Sequence, residues 1–315
     1  MYRMSPISSF SLRPLRREDV TVAADQLMLA SATGVRHHLE LQLAAASAGE
    51  RGSGFVAERD GVVIGAALLS TEPTMPGAVV TLVAVSRQAR GHGVGRALAD
   101  LLDEQLADET LPASCILRDD LTEGRGFAER RGFTLSGHSV GWSIDLSAQD
   151  SKLEAAAHEA AQTAGVRVRQ AELTREVSGV LECAARCMPG MPGAQGRDAE
   201  QGRDYFPGDA VVLLAERDNP SSGEAGRLPL GMTAIAPRVE ENSWYTLFTG
   251  VDPSLRRGGI GRALKTESFQ RARRAGARSV LTHNHDTNAA IIGLNTAFDM
   301  RRAPGYWDLR RTTSK

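Results

Sequence analysis

Arg90-Gly91-His92-Gly93-Val94-Gly95-Arg96-Ala97-Leu98 returns 166 residues later as Arg256-Arg257-Gly258-Gly259-Ile260-Gly261-Arg262-Ala263-Leu264. Both copies fit R-x-x-G-[VI]-G-R-A-L. Each follows a strand-like apolar run, ending near Val85 or Val251, and each opens a helix-like run. A glycine-rich turn between a strand and a helix gathers backbone N–H groups at the positive end of the helix, which suits an anion. Two copies in register predict a duplicated ligand-binding domain and a ligand that carries phosphate.

Working outward, the elements repeat in order. The first half reads as a strand over Phe10–Leu15, helices over Asp19–Ala32 and His37–Ala46, and a hairpin of Gly54–Arg59 and Val62–Ser70 about Asp60-Gly61. A strand over Ala78–Val85, the loop, a helix to Ala107, a strand over Ser114–Leu117, a helix over Thr122–Arg131 and a strand over Phe133–Leu146 follow. The second half runs from a strand at Val166–Arg169 and a helix at Leu173–Cys187 to a helix at Asn288–Phe298 and a last strand at Tyr306–Arg310. The expected domains are 1–148 and 166–315, joined by a linker over 149–165. Pro189–Pro207, rich in Gly, Pro and Asp, reads as a lid or as a plain surface loop.

At 315 residues, with 42% hydrophobic and 24% charged residues, two globular domains are expected. A net charge of −1 gives no reason to expect a nucleic-acid binder, and no run is apolar enough for a membrane helix. Three cysteines make no paired framework, and the N-terminus shows no signal-peptide pattern, so a reduced, cytoplasmic protein is expected. Cys183 and Cys187, one helical turn apart, read as packed thiols.

Three glycine-loop chemistries compete. A nucleotide P-loop needs Gly-Lys-Ser/Thr, whereas Arg96 and Arg262 follow the last glycines here. A dinucleotide fingerprint needs a third glycine where Arg96 stands and a place after the first strand, and the loop lies mid-domain. The order strand, R-x-x-G-x-G, helix, strand, helix resembles the acetyl-CoA site of the GNAT acyltransferase superfamily in its tandem form. The resemblance is clearest over Ala78–Phe133 and Trp244–Trp307. It implies an α/β fold of two tandem domains, each a mixed, mostly antiparallel sheet flanked by helices. It also implies an acyl-CoA cosubstrate, most simply acetyl-CoA, no metal, and a small-molecule amine as acceptor, in a monomer or homodimer.

Carried over residue by residue, the resemblance assigns Val83, Val85, Thr249 and Val251 to the pantetheine arm. It assigns Arg90, Gly91, His92, Gly93, Gly95 and Arg96, with Arg256, Arg257, Gly258, Gly259, Gly261 and Arg262, to the pyrophosphate. Glycines let N–H groups approach the phosphates and arginines add charge-assisted bonds. Asn288 and Asn295, within Thr282-x-Asn284-x3-Asn288-x6-Asn295, join the cofactor set. The tyrosine that such enzymes use to protonate the thiolate is replaced by Ala128 in Phe127-Ala128-Glu129-Arg130-Arg131-Gly132-Phe133, and by Asn295 in the second half.

An amine acceptor must lose a proton, so a base is sought. Glu240, Glu241, His283, His285 and Asp286 in the second half outnumber Glu72, Asp119 and Asp120 in the first. The second half is therefore expected to catalyse, with Glu241, His283 and Asn295 as its catalytic set. His283-x-His285-Asp286 reads as acceptor-rim residues in preference to metal ligands. Tyr245 and Tyr306 are stand-ins for the missing acid, and Lys265 is placed to meet a coenzyme A phosphate or solvent. The rival class is a non-catalytic acyl-CoA sensor.

Overall fold

The computed structural model describes residues 9–30, 36–71, 77–107, 109–147, 152–192, 206–217, 228–238 and 242–312. Its elements are β1 (Ser11–Pro14), α1 (Val20–Met28), α2 (Arg36–Ser47), β2 (Ser53–Arg59), β3 (Val62–Thr71), β4 (Val79–Val85), α3 (Val94–Leu106), β5 (Ala113–Arg118), α4 (Thr122–Arg130) and β6 (Thr134–Asp145). Then come α5 (Lys152–Ala164), β7 (Val166–Gln170), α6 (Leu173–Cys187), β8 (Val211–Arg217), β9 (Gly231–Arg238), β10 (Ser243–Val251), α7 (Ile260–Arg274), β11 (Ser279–His285), α8 (Ala289–Ala297) and β12 (Arg301–Arg311).

The chain forms two compact units, one of Met1–Gly137 with Tyr306–Lys315 and one of His138–Gly305. Each carries a six-stranded mixed sheet, in the order β1-β2-β3-β4-β5-β12 in the first and β6-β11-β10-β9-β8-β7 in the second. The last strand of each repeat therefore serves the other unit's sheet. Residues 139–145 of β6 pair antiparallel with β11, and residues 306–311 of β12 pair antiparallel with β5. This differs from the expected cut at 149–165, because strand pairing is set by edges that sequence periodicity does not record. Residues 152–164 also do more than link. Leu153, Ala157 and Ala160 of α5 are buried, and Ala160 and Ala164 pack with Ile260, Ala263 and Leu264 of α7.

Alternation along the strands explains the layers. In the first unit Ala66, Leu68, Val80 and Leu82 face α1 and α2, packing on Leu27, Leu39 and Leu43. Ala67, Leu69 and Val79 face α3 and pack on Val94, Leu98 and Leu102. In the second unit Leu214 and Met232 face α6, while Leu213 and Ala215 face α5 and α7. Cys183 and Cys187 are buried in the α6 layer, and a Cβ on Gly250 of β10 would lie 2.6 Å from Cys187 Cβ. The Cys187 thiol is pushed up by its hydrogen bond with Cys183 and by burial, as packed thiols require.

The duplication reaches past the loops. Arg13 of β1 donates to Glu58 at 3.0 Å and forks onto Asp19 at 2.6 and 3.0 Å. Arg169 of β7 does the same to Glu216 at 2.7 Å and Glu176 at 2.7 and 3.0 Å. Asp19 and Glu176 also accept the backbone N–H of Arg16 and Glu172. The facing guanidinium is the first cause that holds both carboxyls below their usual range. Each triad ties the first strand to the first helix and the second strand.

The exchange of strands makes a specific expectation. A chain ending at residue 305 loses the length of β12 that pairs with β5, residues 306–311, so β5, far off in sequence, becomes a bare sheet edge. Hydrogen exchange should accelerate across residues 113–118 while residues 139–145 stay protected. Unchanged protection over 113–118 would show that β12 does not hold that edge.

Candidate active site

Each unit holds one parallel strand pair beside its glycine loop, and each pair parts almost at once. β4 and β5 are paired only at Val79–Ala113 and Val80–Ser114. β10 and β11 are paired from Ser243–Ser279 to Tyr245–Leu281, and β10 shifts register between Thr246 and Phe248. The remaining length of β4 and β10 thus has backbone groups on one side that the parallel neighbour does not take up. A buried backbone group needs a partner, so such a gap suits an extended ligand with amides of its own.

The first residue past each pair is a threonine. Thr81 Oγ1 donates across the gap to the Ser114 carbonyl at 3.2 Å. Thr246 is buried, and its Oγ1 meets no hydrogen-bond partner. An orphaned buried hydroxyl at the apex of a strand gap is a feature a bound thioester carbonyl would satisfy.

The two loops share one backbone. Gly93 and Gly259 precede their helices with φ of 83° and 84°, in the left-handed region that favours glycine. Gly91 has φ of 80°, and its counterpart Arg257 adopts 66° with a side chain attached. The surroundings differ. A Cβ on Gly91 or Gly93 would meet nothing within 4 Å. One on Gly259 would lie 3.4 Å from Ala164 Cβ, and one on Gly261 would lie 3.6 Å from Leu294.

In the first unit Val83, Val85, Arg90, Gly91, Gly93, Gly95 and Arg96 line one cavity of about 770 Å³, together with Ala128. His92 turns back, its ring Nδ1 donating to the Arg90 carbonyl at 2.8 Å. Asp120 reaches the cavity, but Arg118 grips both its oxygens at 3.0 and 2.6 Å and holds its carboxyl below the usual range. Cys115 also lines it, and burial pushes its thiol up to about 12, which makes it a poor nucleophile. These residues fit an acyl-CoA. The loop N–H groups and Arg96 would hold the pyrophosphate, and the open edge at Val83 and Val85 would hold the pantetheine arm.

Two of the expected phosphate ligands have other work. Arg90 Nε donates to the Val85 carbonyl at 3.1 Å, and Arg256 Nε donates to the Val251 carbonyl at 3.2 Å. Arg256 Nη2 further bonds the carbonyls of Cys187 and Pro189, at the negative end of α6. These arginines latch the loop to the strand end. Arg262 stacks on the Phe298 ring, 5.1 Å from its centroid. Thr249 shares a 2.8 Å hydrogen bond with Thr233, and Asn288 caps α8 by accepting the Ile291 N–H at 3.3 Å.

The candidate acid–base residues of the second unit fall on opposite faces of its sheet. On one face Tyr245 and His283 meet at 2.9 Å, Oη to Nδ1, and His283 Nε2 lies 3.0 Å from the Pro304 carbonyl. A carbonyl only accepts, so Nε2 carries the proton, and in the neutral ring Nδ1 accepts from Tyr245. His285 is turned to Thr287 and Asp286. Tyr306 falls in the first unit, where it pairs with Arg118 of β5. Glu72, Glu240, Glu241 and 193–205 of the expected lid lie outside the described residues. Among the described residues no group of His, Cys, Asp or Glu is arranged to hold a metal.

On the other face lies a network that sequence reading missed. Lys265 is 1% exposed, neither at a phosphate nor in solvent as expected. Its Nζ donates to Asn295 Oδ1 at 2.9 Å, and Asn295 Nδ2 donates to Asn284 Oδ1 at 2.7 Å. Asn295 is fully buried, with its amide engaged at both ends. Burial lowers the Lys265 ammonium to about 7. The signal was available: Lys265 is one of three lysines in the chain and stands where the first repeat has Ala99.

A lysine depressed in the fold weakens it wherever the unfolded chain holds the extra proton. That penalty is full below about pH 7 and fades as pH rises toward the unfolded value of 10.5. Lys265→Met, which keeps the stem and removes the amine, should therefore gain stability on the order of a few kcal/mol near pH 6.5. The gain should shrink by pH 9.5, as read by denaturant unfolding at both. A loss of stability at pH 6.5 would contradict the burial cost.

Comparison with known proteins agrees with this geometry. The model of the acetyltransferase (GNAT) family matches residues 23–133 and 181–295. A mycothiol acetyltransferase of Sanguibacter keddieii is 30% identical over 236 residues, 72% of either chain. One of Actinosynnema mirum is 25% identical over 300 residues, 93% of this chain and 94% of that one. A solved tandem GNAT protein from the clavulanic acid biosynthesis pathway shares the fold at a TM-score of 0.69 and 17% identity, covering 98% of this chain and 99% of that one. A GCN5-related N-acetyltransferase from Sphaerobacter thermophilus does so at 0.65 and 15%, covering 99% and 98%. With a glycine loop and a parted strand pair inside each matched segment, the chain belongs to the GNAT acetyltransferase family, as a tandem of two such domains.

Proposed function

We propose that this protein transfers an acetyl group from acetyl-CoA to the primary amine of a small molecule, with the chemistry in the second unit. The observation that carries the reading is the Tyr245–His283 pair at the mouth of the β10–β11 gap. Tyr245 is the last residue of β10 paired to β11, and His283 lies two residues beyond its partner Leu281, on the same face. An acceptor nitrogen above them passes its proton to the Tyr245 oxygen as the Tyr245 proton moves to His283 Nδ1. The resulting imidazolium is steadied by the Pro304 carbonyl on Nε2. The acceptor's N–C bond forms and the C–S bond breaks, leaving its electron pair on sulfur. The Thr246 hydroxyl is placed for the carbonyl oxygen.

Two relatives are mycothiol acetyltransferases, one of them matched over 94% of its own length. Acetylation of a mycothiol-type precursor is therefore the narrower form of the reading. The rival, an acyl-CoA sensor without turnover, draws on Ala128 and Asn295 at the position of the usual acid.

An amine panel that includes the acceptor of those relatives, scored by free-thiol release from acetyl-CoA, tests the function. Acceptor-dependent release is expected. Tight acetyl-CoA binding with no release across the panel would establish the sensor in its place. His283→Gln should lower kcat/KM by about 10²-fold or more and leave acetyl-CoA binding intact. Full activity in that variant would remove His283 from the chemistry.

A further inference from the structure

The repeat gives the buried lysine a meaning that its hydrogen bonds alone do not. Gly95 and Gly261 are equivalent, so Lys265 stands at the position of Ala99; α4 and α8, aligned from their first residues Thr122 and Ala289, put Asn295 at the position of Ala128. Both alanines line the cavity of the first unit. The wall that is two methyl groups in the first unit is, in the second, an amine and an amide joined at 2.9 Å. The chain of bonds continues to Asn284 on β11, three residues past the last β10–β11 pair, on the lip of the strand gap. It runs from the helix core to the place where the two strands part. The orphaned Thr246 hydroxyl lies on the same sheet face, by the alternation that puts Trp244 and Val280 against Phe269 of α7.

Such a lysine does not serve the fold. An ammonium has three N–H donors, and the partners recorded for Lys265 are Asn295 and the ring of Phe269, 5.5 Å from Nζ. A buried charge so thinly satisfied destabilises the core, and an aliphatic side chain would fill the space at lower cost. Burial is the whole cause of its lowered pKa. Glu154, His158 and Glu159 of α5, Arg238 of β9, His283 and His285 of β11, and Arg262 and Glu267 of α7 itself add nothing to it. Glu154 is paired with Arg274, Glu267 with Arg271, and Arg262 lies on Phe298. Among the described residues no carboxylate is paired with this ammonium, which leaves it able to answer an anion that arrives only during the reaction.

We propose that Lys265, acting through Asn295 and Asn284, is a positioning residue whose ammonium form polarises that amide chain toward the departing thiolate in the second unit. No proton crosses the amides. The acceptor's proton leaves by Tyr245 and His283, the electron pair of the broken C–S bond stays on sulfur, and Lys265 keeps its proton throughout. This inference rests on the transferase reading above.

The three lysines permit a direct test on the full chain, labelled with 13C at lysine Cε. Of three resonances, the one lost in Lys265→Met should titrate near neutrality with acetyl-CoA bound. Its midpoint should rise by a unit or more when CoA replaces acetyl-CoA, because the thiolate favours the ammonium. Titration with the other two lysines, or a midpoint indifferent to the exchange, overturns the proposal. In turnover, Lys265→Met should lower kcat tenfold or more, keep the acetyl-CoA KM within threefold, and lose the fall in kcat that begins as pH rises through neutrality. Asn295→Leu, which leaves the lysine but cuts the chain, should show the same loss. Wild-type kcat and pH profile in both variants would sink this inference alone. Absence of acceptor-dependent turnover in the wild-type protein would instead sink the transferase reading.

Discussion

The architecture turns on a parallel strand pair that lasts two or three residues. β4 leaves β5 after Val80, and β10 leaves β11 after Tyr245. A sheet that parts in this way has unpaired backbone inside the protein, which is costly unless something extended completes it. The glycine loop stands at the far end of the parted strand, so one ligand can meet the strand edge and the loop. The arginine that opens each loop keeps the two in register by bonding the carbonyl of Val85 or Val251. What first reads as a phosphate ligand is a latch that sets the loop's height over the gap.

The duplicated framework makes the differences between the units informative. Both units carry the arginine triad of first strand, second strand and first helix, and both loops share the same φ values at Gly93 and Gly259. With the scaffold held constant, the contrast of Ala99 and Ala128 with Lys265 and Asn295 stands out as a change of chemistry in the wall. The Tyr245–His283 pair is a second asymmetry, since the last paired residue of β4 is Val80, and the residue two past its partner Ser114 is Ile116. One unit has two alanines at these wall positions, and the other has the Lys265–Asn295 pair there and the Tyr245–His283 pair on the opposite sheet face.

Much of this was legible in the residues. The turn at Asp60-Gly61, the β-branched run before each loop and the helical spacing after it placed the elements within a few residues, because these signals are local. The missing tyrosines at Ala128 and Asn295 were visible too. The destination of a charged side chain was not. Arg90, Arg256 and Lys265 carry the same charge in any reading of the sequence. Arg90 and Arg256 stay exposed and turn back onto the carbonyls of Val85 and Val251, whereas Lys265 is buried because other elements pack over it. Tyr306 shows the same limit: it follows the second repeat in sequence and sits in the first unit's sheet.

By itself the sequence determined that there are two related α/β domains, each built round a glycine loop that approaches an anion through its backbone. It did so because glycine spacing and strand-to-helix periodicity are written in consecutive residues. The tertiary structure alone decided which strand completes which sheet, that Tyr245 rests on His283, and that Lys265 loses its water to stand against Asn295. Those outcomes depend on burial and on contacts across more than a hundred residues in the case of the strands, and on packing between separate elements in the case of the side chains. No local pattern encodes how much water a side chain will keep.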